Sequence, residues 1–146
     1  MYHRIVLAYD GSPQRLQSLL SIRELPALKN AQLRLVAAVP SATELTSLEY
    51  GYQDAQLPVA VREEFERTMS QGLAQLQAAG HQASAQLLVG DAVRQISDHA
   101  RDFEADLIIV QHVQEKSLLR RWWSDATAKS LVEYAPCNVL IAVASA

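Results

Sequence analysis

Five short apolar runs recur along this chain, and every interval between them holds a stretch with the spacing of an amphipathic helix. Strands that alternate with helices join in parallel through right-handed crossovers, so few folds remain open. The first run, Ile5-Val6-Leu7-Ala8-Tyr9, follows Arg4 without a polar break and is stopped by Asp10-Gly11-Ser12-Pro13. Unbroken apolar runs suit strands covered on both faces. Ser12 before Pro13 predicts a capped helix start, with Leu16, Leu19, Leu20 and Leu28 toward the core. Pro26, which lacks an N–H, should end or kink that helix near residues 23–25.

The rest of the chain repeats the theme. Residues 32–39 read as a second strand, and 40–58 as an irregular stretch punctuated by Pro40, Gly51 and Pro58. From Val59 a helix takes over, with Val61, Phe65, Met69, Leu73 and Leu76 inward and Gly80 as its stop. Ala83, Ala85, Leu87 and Val89 form the third strand. Asp91 caps a helix bearing Val93, Ile96, Ala100 and Phe103, and residues 107–110 form the fourth strand. A polar, basic loop is expected over 111–123, then a helix capped by Ser124 or Asp125 that carries Ala128, Leu131 and Val132. Residues 138–143 close the chain as the fifth strand. The expected fold class is α/β: one doubly wound, mainly parallel five-stranded sheet with helices on both faces. Its ligand sites lie at the carboxyl ends of the strands.

Composition narrows the function classes. A chain of 146 residues supports one domain, taken as 1–146. Thirteen Lys and Arg against 16 Asp and Glu leave a net charge of -3, which argues against nucleic acid as a partner. The single cysteine, Cys137, has no intramolecular disulfide partner and reads as a buried small hydrophobe. The chain runs from Met1 straight into its first apolar run, and no run approaches the ~20 residues of a membrane span, so neither a signal peptide nor a membrane is expected. The expected location is the cytoplasm.

Four segments together resemble the universal stress protein family: residues 5–12, Val89-Gly90-Asp91, residues 105–110, and Ala135-Pro136-Cys137 leading into the last strand. They occur in the right order along essentially the whole chain. The resemblance implies the adenine-nucleotide α-hydrolase-like fold. In that family many members bind ATP through a motif after the fourth strand: Gly, two residues, Gly, nine residues, then Gly-Ser or Gly-Thr. Counted from Val110, those places hold Gln111, Gln114, Ser124 and Asp125; counted back from Ala135, the last pair is Asp125-Ala126. No glycine follows Gly90, so every motif glycine is missing. Such a loop cradles phosphate with backbone N–H groups and needs close approach. Glutamine side chains would crowd it, and an aspartate at the helix start would take up the same N–H groups. Lys116, Arg120, Arg121 and Lys129 could offset this by charge alone. The chain resembles the branch that lacks the intact motif and acts as a dimeric stress protein without ATP.

The resemblance also places candidate residues. Asp10 falls where the family has its adenine-side carboxylate, yet an aspartate there also satisfies the N–H groups of its own turn. Gly11, Ser12, Ala38, Gly90 and Gln111 complete the candidate nucleotide-binding set, and Ala38 replaces a usual valine. In the family the last strand pairs across a homodimer, which here would use Val139, Leu140, Ile141, Ala142 and Val143. The run 116–123, with two arginines before Trp122 and Trp123, suits an interface or self-packing better than a ligand site. His112 has no partners at metal-ligand spacing, and His3, His81 and His99 are scattered, so no metal is expected. Ser12 lacks the elbow and histidine of a hydrolase nucleophile. The expected function is a non-catalytic, homodimeric stress-adaptation protein with no cofactor. The alternative is a sensor of ATP or AMP that uses the strand ends near Asp10 and the loop after Val110. An ATP-hydrolysing enzyme of the same fold is the third reading, distinguished by turnover.

Overall fold

The computed structural model describes residues 2–39, 58–113 and 125–144. The run 116–123, Gln114, Ser124 and nearly all of the 40–58 stretch lie outside them. Five strands form one sheet: β1 (Arg4–Tyr9), β2 (Gln32–Val39), β3 (Gln82–Val89), β4 (Leu107–Val113) and β5 (Asn138–Ala144). Their order is β3-β2-β1-β4-β5, and every neighbouring pair is parallel. The helices are α1 (Pro13–Leu20), α2 (Val59–Ala78), α3 (Ala92–Asp102) and α4 (Asp125–Tyr134).

The two-residue period of the strands sorts the sheet into two cores. Ile5, Leu7 and Tyr9 of β1 face the side covered by Leu16 and Leu19 of α1 and by Met69 and Leu76 of α2. Val6 and Ala8 face Ile96 and Ala100 of α3 and Leu131 of α4. Residues 5–9 are wholly buried, which is why that run has no polar alternation. The expected doubly wound parallel sheet with helices on both faces is borne out.

Three boundaries depart from expectation. The α-helix expected to reach residues 23–25 ends at Leu20, and two turns of 3₁₀ helix follow, Ser21–Glu24 and Pro26–Leu28. Pro26 holds Leu25 extended (ψ 130), which separates the two turns. Gln111 does not open a loop, because β4 continues to Val113. The extension exists because residues 111–113 find partners in Ala142, Val143 and Ala144. Val132 is 61% exposed rather than inward, since Thr127 and Leu131, four apart, form the buried line of α4. Cys137 is half-buried, and burial with the nearby Asp106 carboxylate pushes its thiol above the usual range. No described helix is long and apolar enough to cross a membrane.

Candidate functional site

The strand order places a switch point at the carboxyl ends of β1 and β4, because the chain winds outward through β2 and β3 and then crosses back. Asp10, Gly11 and Ser12 form the turn there. Ser12 caps α1: its hydroxyl accepts from Arg15 N–H at 3.4 Å. The same residue donates to Asp10, with backbone N–H at 3.0 Å and Oγ at 2.8 Å from Oδ1. Oδ2 faces Arg15 Nε at 3.3 Å, and the two side chains are only 10% and 6% exposed. Asp10 is thus bound on both oxygens by its own turn and by the first turn of α1.

Gly11 is required by its surroundings. Its φ is +93, and a Cβ there would stand 2.8 Å from Val39 and 2.9 Å from the Phe65 ring. The close approach lets α2 pack over the turn. Gly90 reaches the same end of the sheet, where its N–H donates to the Val39 carbonyl at 3.0 Å and locks the ends of β2 and β3 together. Next to it, Asp91 caps α3 by accepting from Arg94 N–H at 2.9 Å. Ala38 is wholly buried on the α3 and α4 side, the opposite face from Tyr9. Gln111 lies inside β4 and is 2% exposed, on the face shared with Tyr9 by strand periodicity.

Asp10, Gly11, Ser12 and Gly90 therefore gather at one end of the sheet, whereas Ala38 and Gln111 are embedded in it on opposite faces. Two further residues shape this end and escaped the sequence reading. Arg15 is 5% exposed, and its signal was its position four residues before Leu19 on the buried stripe of α1. Tyr9 is wholly buried with its hydroxyl unpartnered among the described residues. Burial, and then the charge of Asp10, push its phenol far above the ordinary range, so it stays neutral. The Ser12 Oγ is engaged by Asp10 and by its capping bond to Arg15 N–H. Among the described residues no cluster of three histidine, cysteine or acidic side chains is placed to hold a metal ion.

The last strand stands apart from this turn. β5 is an outer strand with β4 as its one neighbour among the described residues, and Leu140 and Ile141 are each 38% exposed on it.

No curated protein matches the chain. Among solved structures it is similar to the protein MJ0577, at 21% identity with a TM-score of 0.75, over 99% of this chain and 97% of that one. It is also similar to the universal stress protein from Archaeoglobus fulgidus in complex with dAMP, at 18% identity and a TM-score of 0.65, covering 96% and 97% of the two chains. A universal stress protein in complex with cAMP matches at 19% identity and a TM-score of 0.62, covering 96% and 95%. At such identities these likenesses establish the fold. The family model for universal stress proteins matches residues 1–142, nearly the full length, and on that match the chain belongs to the universal stress protein family.

Proposed function

We propose that residues 1–146 work as one non-catalytic domain of the universal stress type, a cytoplasmic homodimer in stress adaptation that takes no ATP in the glycine-motif mode. The observation that carries the reading is the Asp10 carboxylate, whose two oxygens are already engaged by Ser12 and Arg15. An adenine would compete with a buried ion pair for it. The lack of any glycine beyond Gly90 supports the same reading, since cradling phosphate by close backbone approach favours glycine. The exposed apolar residues Leu140 and Ile141 on the outer strand, with Val132 and Tyr134 on α4, support pairing between copies.

Calorimetric titration with ATP, ADP and AMP tests the ligand half of the proposal. The expected result is no saturable heat at about 1 mM nucleotide, the range of a binding energy near −4 kcal/mol. Light scattering during gel filtration tests the other half, and a strict monomer at micromolar concentration would sink it.

The second reading, a nucleotide sensor, is supported by the fold neighbours solved with dAMP and cAMP. On that reading AMP or cAMP gives saturable heat, Asp10→Ala weakens it, and Asp125→Gly strengthens the binding of phosphates.

A further inference from the structure

At the opposite end of the sheet from the turn of Asp10, the amino-terminal ends of β2 and β3 carry four polar side chains on one face. Gln32 pairs in register with Gln82, and Arg34 with Ser84, so the four form a square two residues long and two strands wide. Farther along the same face Gln86 of β3 is still exposed, while Val36, Ala38 and Leu88 are buried beneath α3 and α4. The helix α3 stops at Asp102, and Phe103 is the last side chain it sets against this end. What remains is a cavity of about 320 Å³ lined by the four polar residues with Leu33, Ala83 and Phe103. That volume lies at the small end of ligand sites.

Arg34 is held still inside this frame. Its guanidinium lies 4.5 Å from the Phe103 ring centroid, Nε donates to Ser84 Oγ at 2.6 Å, and Nη1 lies 3.1 Å from His99 Nε2. A guanidinium can only donate, so His99 accepts and is neutral on that nitrogen. Every partner is therefore uncharged. Among the described residues no carboxylate lies within ion-pair distance of Arg34, whereas the neighbouring Arg4 has Glu104 at 3.4 Å. Nη2 has no protein partner among the described residues. A fixed, uncompensated guanidinium with two amides beside it is the arrangement that binds planar or tetrahedral oxyanions, and its side-chain entropy is already lost.

We propose that this square is a binding site for a small oxyanion, a carboxylate or a phosphate, held by Arg34 and hydrogen-bonded by Gln32 and Gln82. It is separate from the strand-end turn, and its outcome does not depend on whether nucleotide binds there.

The test is a titration of the ¹⁵N-labelled full chain with sodium phosphate and, separately, sodium acetate, with sodium chloride keeping ionic strength constant. The Arg34 Nε–H signal and the side-chain amides of Gln32 and Gln82 are followed by NMR. Saturable shifts with a Kd of about 1–10 mM are expected, confined to this face, and the anion that binds more tightly identifies the source chemistry. Arg34→Gln should weaken binding by roughly tenfold or more. Gln82→Ala, at an exposed position, provides a second variant that leaves the arginine in place and should weaken binding roughly threefold. Three results overturn the site: no saturable shift with either anion up to about 100 mM, shifts spread evenly over all surface arginines, or unchanged affinity in the variants. In those cases Arg34 serves only to clamp β2 to the end of α3.

Discussion

Asp10 pairs with the buried Arg15, and His99 faces the Arg34 guanidinium. Removing the carboxylate in Asp10→Ala strands the 5%-exposed Arg15 without that counter-charge, and also removes the acceptor of the Ser12 N–H and hydroxyl. Breaking a buried pair from one side costs about 3 kcal/mol, so urea unfolding should shift by about that amount. A shift below about 0.5 kcal/mol would mean that the pair is solvated. His99 works in the other direction. Burial first, and then the Arg34 guanidinium, hold its pKa below the ordinary 6.5, with Asp102 opposing them. The unfolded chain therefore takes up a proton on this residue before the folded one does. Its contribution to stability is present above pH 6.5 and is lost as the pH falls below that value toward the folded-state pKa. Unfolding free energies of the wild type and His99→Gln should therefore converge toward low pH, and parallel profiles would disprove the assignment. The turn residues Asp10, Gly11 and Ser12 could be placed from sequence because local hydrogen bonding dictates them. Arg15 and Tyr9 could not, because burial of a polar group depends on what packs over it.

At the scale of the element, the end of α3 carries the clearest strain. Glu104 sits at φ 57, and Ala105 N–H closes the helix by donating to the Ala100 carbonyl at 2.8 Å. That position ordinarily belongs to glycine. Glu104→Gly forfeits only an exposed ion pair with Arg4, so thermal or urea unfolding should show a gain of about 0.5–1 kcal/mol. A loss would show that the pair outweighs the backbone strain. The elements themselves were readable, with β2 starting and ending at the expected residues. Their ends were less so, for a physical reason. The extra length of β4 comes from partners some thirty residues onward in β5, and no local pattern marks Gln111 as strand. Likewise α1 gives way to 3₁₀ turns where Pro26 and the packing of Leu28 set the geometry together.

For the whole molecule, alternation of strand and helix prescribed a parallel sheet but not the order β3-β2-β1-β4-β5, which no window of sequence contains. That order leaves β5 at one margin, and on the dimer reading Leu140→Lys with Ile141→Lys should halve the mass seen by light scattering without unfolding the chain. Charges on an outer strand oppose pairing with another copy. An unchanged mass would place the partner surface elsewhere. The central place of β1 has a further consequence, one of synthesis. Of the five strands, the earliest in the chain is the one enclosed between two neighbours at the centre, and its β4 side stays open until Leu107 has been added, about a hundred residues later. At roughly 5–20 residues per second, a ribosome leaves that row of backbone donors and acceptors uncovered for about 5–20 s. The Asp106 carboxylate, which accepts from the His3 and Arg4 N–H groups at 2.8 and 3.0 Å, is made just before β4 and ties the start of β1 to it. A pause in translation anywhere between β1 and Asp106 would prolong that interval, which ties the tempo of that stretch of the message and the supply of chaperone to yield.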